Sequence, residues 1–322
     1  MSDETTAIGR LNHLRGIFAL LIVLGHCSVR FEKELLPLMV IHKSDMVSVC
    51  FFFIISGWSL CYNWYRKENY LKGFFVKKIL RLSGIAILCQ LVSLILRFLV
   101  LGTKPVIDLG IITGMNWYIY EILFFYVVFL ICFAIRWNRI VRLSAIWILS
   151  LLFSILMLYV TNRTVWAHSW HYSSLCFAFG ITIHEFYDKV RLLIKKRIVL
   201  SAVLLVLCLA SCICLKMPSG GFIGGCLLHN AVGIFAISIL IVWAHFIDLK
   251  KIPLIGLLGK ISLEIYLYQF TVLEIVTVLF VNSGHGIDLL FVGVSVLSTL
   301  AVAAVMYFPD KMISRLTSRI AR

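Results

Sequence analysis

Charge is what this 322-residue sequence has least of. Only 14% of its residues are Asp, Glu, Lys or Arg, and the acidic ones number 15 against 30 basic. A soluble chain of this size needs a mixed, charged surface. A chain that is 61% hydrophobic with a mean hydropathy of +1.01 cannot supply one. No polar stretch is long enough for a soluble domain, and no internal repeat is visible, which weakens an inverted-repeat transporter. No nucleic-acid motif accompanies the net charge of +15, so the excess reads as basic loops facing anionic lipid. Metal-ligand spacing is missing too. Cys50, Cys61, Cys89, Cys132 and Cys208 lie inside apolar runs, and Cys212 and Cys214 stand two apart with no histidine near them. These cysteines read as small buried hydrophobes, not as a disulfide framework or a metal site.

What is present is a series of apolar runs of membrane-spanning length. Ten are expected, at 11–29, 46–63, 81–101, 117–135, 142–160, 172–187, 198–215, 228–247, 261–281 and 288–308, the sixth being short. The fold class is therefore all-α, a polytopic integral membrane protein. Residues 1–308 form the transmembrane domain and 309–322 a basic tail. With the N-terminus placed in the cytoplasm, 23 of the 30 basic residues fall in inside segments, and every inside segment carries some. That bias predicts both termini cytoplasmic. The first run reads as a retained helix and not a cleaved signal, because His26 stands before Cys27 where a lipoprotein site needs a small residue. In the tail, Lys311, Arg315 and Arg319 are four apart, the spacing of one helical face on anionic lipid.

Several ionisable residues break the apolar rule. Arg15 and His26 lie eleven positions apart in "LRGIFALLIVLGH", about 16 Å along a helix and on nearly one face. Arg15 alone fits an interfacial anchor as well as a functional group. His26, in the outer half of the bilayer, is harder to explain as packing, because buried ionisable groups in spans are costly. Glu121, His171, His229, Asn230 and Glu274 fall at a similar outer depth, and together suggest a polar cavity reached from outside. His171 and His229 taken singly read as interfacial. At the opposite end, Lys77, Lys78 and Arg81 crowd the mouth of the third span. Lys78 and Arg81, three apart, can grip phosphate together, with Arg15 joining from the first span. A cationic pole inside and a histidine- and carboxylate-bearing pole outside suit group transfer across a membrane.

These residues resemble a known family, the membrane-bound acyltransferase family 3 of bacterial sugar and polysaccharide O-acyltransferases. Arg15 and His26 match its arginine–ten residues–histidine motif. "FFFIISG" resembles its second-span element at Phe52, Phe53, Ser56 and Gly57, with Trp58 where phenylalanine is usual. Lys78 and Arg81 match its basic pair. "NWYIYE" resembles a fourth-span element at Trp117 and Glu121. "ISLEIYLYQF" resembles a late element at Ser262, Tyr266 and Leu267, with Gln269 where histidine is common. The resemblance covers residues 11 to about 270 and implies a ten-span enzyme of the bacterial plasma membrane.

It also implies an acyl-CoA donor, by family habit acetyl-CoA, and a hydroxyl acceptor on a cell-surface glycan or lipid-linked sugar. On that expectation Arg15, Lys78, Arg81 and Ser56 bind the donor. His26 is the general base, since a neutral imidazole of pKa about 6.5 suits that task, and Glu121 orients or polarises it. Trp117, His171 and Tyr266 contact the acceptor. No resident cofactor and no metal are expected, and the partners are acyl-CoA, the glycan or sugar acceptor and membrane lipid. An acyl-histidine intermediate is an alternative route. The rival function from another class is a transporter or flippase for a glycan or small anion.

Overall fold

The fold is described from a computed structural model over residues 3–30, 36–102, 117–161, 170–216, 222–247 and 253–321. Among the described residues the chain forms twelve α-helices and no strand. They are α1 (Asp3–Ser28), α2 (Leu36–Arg66), α3 (Arg81–Leu101), α4 (Trp117–Ala134), α5 (Arg139–Thr161), α6 (Ser174–Glu185), α7 (Tyr187–Ile194), α8 (Arg197–Lys216), α9 (His229–Ala244), α10 (Pro253–Lys260), α11 (Ser262–Asn282) and α12 (Leu289–Ile320). Two π-helical segments, Phe75–Leu80 and Ile223–Leu228, run directly into α3 and α9. Among the described residues nine helices, counting each π segment with its α-helix, are long and apolar enough to cross a bilayer.

The remaining expected span, 172–187, is α6, and it has only 12 residues. That is about 18 Å, short of a ~30 Å hydrocarbon core. Most of it is buried. Cys176, Phe177, Ala178 and Ile181 are all fully buried. Its closeness to α2 depends on two glycines: a Cβ on Gly57 would overlap the Phe177 carbonyl, and one on Gly180 would overlap the Ile54 carbonyl. Small residues let two backbones approach where lipid supplies no hydrophobic drive for helix association. This is the packing reason for glycine in "IISG". The helix breaks at Phe186 and resumes as α7.

α1 begins at Asp3, eight residues before the expected start of the first span. Its first turn is held by Glu4, whose Oε1 accepts from Trp58 Nε1 at 2.7 Å and pairs with His184 Nδ1 at 2.6 Å. Trp58 in the second-span motif thus has a partner that phenylalanine could not have. The extension places Arg15 at the middle of α1, twelve residues from Asp3 and thirteen from Ser28. The basic tail continues the last span as a helix. α12 runs unbroken through Pro309 to Ile320, and Ala321 packs on Gly73, whose Cβ would come 2.9 Å from the Ala321 carbonyl. The tail therefore covers the turn leading into the first π segment, while Lys311, Arg315 and Arg319 stay exposed.

α1, α2, α6 and α11 form the centre of the bundle. α8 lies outside it, with no buried residue in its spanning window. A clamp ties α6 to α5 and α2. Glu185, at the end of α6, accepts from Arg142 Nη2 at 2.7 Å and from Tyr65 at 3.0 Å, with Arg139 Nε at 3.0 Å. The Arg142 guanidinium also lies over the Phe133 ring at 4.4 Å.

Candidate active site

The cationic group assembles as its spacing suggests. Gly16, beside Arg15, leaves room for α10: a Cβ there would overlap Leu258 and the Gly259 backbone. Arg15 on α1 and Arg81 at the start of α3 line one cavity of 120 Å³, together with Ser56, Tyr118, Tyr126 and Tyr266. Lys78, half-buried in the π segment, lies within electrostatic reach of both guanidinium groups. π-helical turns occur disproportionately at functional sites, and this one carries Lys78 and ends directly before Arg81. The Nε atoms of Arg15 and Arg81 are buried and have no hydrogen-bond partner among the described residues. None of the three cations forms an ion pair there, although Glu264 is within electrostatic reach of Arg81. Three clustered cations partly removed from water are unfavourable alone, and an anion seated among them relieves that cost.

The second pole is a larger cavity of 340 Å³ around His26, lined also by Asp45, Trp117, Tyr172, His229 and Tyr266. The His26 ring sits against Phe270 with centroids 4.4 Å apart. The Tyr172 and His229 rings stack at 4.2 Å and 9°. His229 Nδ1 donates to the Gly224 carbonyl at 2.7 Å, in the π segment that leads into α9. That leaves Nε2 as the acceptor nitrogen of this imidazole.

Tyr266 lines both cavities. Its ring meets Tyr118 edge-on at 5.1 Å, and Tyr118 in turn packs on Phe52 and Phe53. The hydroxyl is buried beside the Tyr118 backbone without a well-aligned hydrogen bond. A single aromatic side chain is therefore the shared wall between the cationic chamber and the histidine chamber.

Not every expected residue joins them. Glu121 is fully buried on α4, with neither carboxylate oxygen hydrogen-bonded among the described residues. It neighbours Cys50 and is not among the residues lining the His26 cavity. Asp45 occupies that lining instead, its side chain packed on Gly25, where a Cβ would come 2.8 Å from that of Asp45. His171 lies behind the cavity wall, edge-on to Tyr172 at 4.4 Å and against Gly225. Glu274 is paired with Arg97 at 2.5 Å. Asn230 is structural: its side chain holds Leu175 N at 2.9 Å and the carbonyls of His171 and Cys226 at 3.1 and 2.7 Å. Gln269 is fully buried, and its amide has no partner among the described residues. Asp45 and Tyr172 were missed by sequence reasoning. The signal for Asp45 was one acidic residue at the foot of the "MVSVCFFFIISG" run; Tyr172 carried none beyond its place beside His171.

The fold defines a multi-pass, all-α membrane protein whose bundle holds two cavities with Tyr266 in both linings. A family model described as an acyltransferase domain matches residues 8–308, nearly the whole chain, and the chain belongs to that acyltransferase family. Searches of curated proteins and of solved structures gave no match.

Proposed function

We propose that this acyltransferase moves an acyl group, most simply acetyl, from acyl-CoA to a hydroxyl of a cell-surface glycan or lipid-linked sugar. The termini and the Arg15 chamber face the cytoplasm, and the His26 chamber faces outward. The observation that carries the reading is the pair of chambers sharing Tyr266, one holding Arg15 and Arg81 and the other His26. The donor phosphates meet Arg15, Lys78 and Arg81, which present a cluster of charge-assisted donors. The narrow pantetheine arm passes Tyr266, so the thioester carbonyl arrives beside the Tyr266 hydroxyl, which can donate to its oxygen.

The acceptor enters the His26 chamber, where Trp117, Tyr172 and His229 offer the aromatic and imidazole surface a sugar ring uses. His26 takes the acceptor O–H proton as the oxygen attacks the thioester carbon. The C–S bond then breaks, the coenzyme leaves as a thiol after taking up a proton, and the new ester leaves outward. Asp45, in the same lining, orients His26 or steadies the imidazolium that forms. Glu121 stays outside this scheme.

Purified protein supplied with acetyl-CoA and an O-deacetylated surface glycan should release free thiol. His26→Ala should abolish the release, and Arg15→Ala should chiefly raise KM for the donor. Movement of glycan across vesicles without donor consumption would establish the transporter reading instead.

A further inference from the structure

Two other cavities lie at the basic-loop end, away from both chambers, and they adjoin. The first, of 480 Å³, is lined by Asp3, Arg10, Arg191, Lys195, Arg197 and His245, among others. The second, of 190 Å³, is a groove between α6–α7 and α8–α9, walled by apolar side chains including Phe186, Val190, Leu193, Leu200 and Leu204. Ile194 lines both. We propose that this composite site binds one anionic phospholipid of the basic-loop leaflet, its phosphate in the polar cavity and the upper part of one acyl chain in the groove.

The charge count favours a phosphate. Four permanent cations face the polar cavity and one carboxylate answers them: Asp3 pairs with Arg191 at 2.8 Å on the exposed rim. Among the described residues Arg10, Lys195 and Arg197 form no ion pair. Arg10 is held by a bond from Nη1 to the Ala244 carbonyl at 3.0 Å, and its Nε is buried without a partner. Arg197 lies over the Phe246 ring at 4.4 Å. Both side chains are thus positioned before any ligand arrives. His245 adds little charge: burial lowers its imidazole pKa, and its ring nitrogens are already engaged, Nδ1 2.8 Å from the Ile241 carbonyl and Nε2 2.9 Å from the Tyr187 hydroxyl.

A free anion would use the polar cavity alone. The groove continuing from it past Ile194 is what selects a molecule with an anionic head and a hydrocarbon tail. α7 joins the two parts. It is a one-helix amphipath whose Arg191 faces the polar cavity and whose Val190 and Leu193 face the groove, the arrangement that seats a helix at the headgroup boundary.

The test is native mass spectrometry of the full chain released from nanodiscs of phosphatidylcholine doped with phosphatidylglycerol. One retained phosphatidylglycerol per chain is expected, with no retained phosphatidylcholine. Lys195→Ala/Arg197→Ala should lower its occupancy, by about fivefold for each cation removed. Leu204→Trp, which fills the groove and leaves every cation in place, should lower it as well. Retention unaffected by either variant, or equal retention of both lipids, would overturn the proposal. Displacement by inorganic phosphate or by coenzyme A as efficient as by a short-chain phosphatidylglycerol would also overturn it, marking a plain anion pocket or a donor site. Neither variant touches the Arg15–His26 chambers, so acyl transfer in detergent should persist, and loss of the proposed activity would leave the lipid readout standing.

Discussion

Replacing Tyr266 with phenylalanine separates a structural role from a chemical one. The side chain is almost wholly buried, and its hydroxyl lacks a well-aligned partner among the described residues. A buried polar group left unsatisfied costs about 1–3 kcal/mol, so deleting this oxygen should leave stability unchanged or raise it by about 1 kcal/mol. The ring and its contact with Tyr118 remain, so no cavity opens. Activity should move the other way. If the hydroxyl donates to the thioester oxygen as charge builds on it, losing a donor of that kind costs about 10²–10³ in kcat, with KM for the donor little changed. Thermal unfolding in detergent and steady-state thiol release on the same preparation give both readouts. A Tyr266→Phe protein with the parental rate would remove the hydroxyl from the chemistry. One that lost rate and several degrees of stability together would show a hydrogen bond that holds the fold.

His26→Ala should abolish transfer while the protein still binds donor, measured by equilibrium dialysis with labelled acetyl-CoA. Asp45→Asn, which keeps size and removes charge, should lower kcat by about 10-fold or more, the lower range for a general base that has lost its support, whereas Glu121→Gln should leave the rate nearly unchanged. Glu185→Ala would strand Arg142 in a buried position and should cost about 3–5 kcal/mol, read as a large fall in unfolding temperature. Gly57→Ala drives a methyl into the Phe177 carbonyl and should cost about 1–3 kcal/mol, visible as reduced yield of folded protein.

Hydropathy carried most of the architecture, because a lipid-facing helix must be apolar along its length and the runs are long enough to count. It was least informative at α6. That helix is buried against α2 and α5, and its 12 residues run on past Phe186 into the eight-residue α7, so a short helix pair reads in the sequence as one span. The start of α1 was hidden because Asp3, Glu4 and Arg10 read as loop residues, although Glu4 is spent on Trp58 and His184. No spacing rule connects residues 4, 58 and 184.

The site divides along the same line. Arg15, Lys78 and Arg81 were legible because a cation in an apolar run stands out, and His26 for the same reason. Glu121 stood out equally, yet it is buried on α4 near Cys50 and Tyr266 and is not among the residues lining the His26 cavity. An ionisable residue in a span signals that something is being paid for; it does not say where the side chain points. The wall between the chambers was invisible, because Tyr266 reads as one aromatic among many. Its importance is purely positional: it is the residue that both cavities touch. A donor that is large and charged at one end and thin at the other needs such a partition. A wide channel would leak protons and water between the two sides. Closed chambers would keep the thioester from the base. On the proposed function Tyr266 stands where both requirements meet, which is why the chemistry is best tested at that residue as well as at the imidazole.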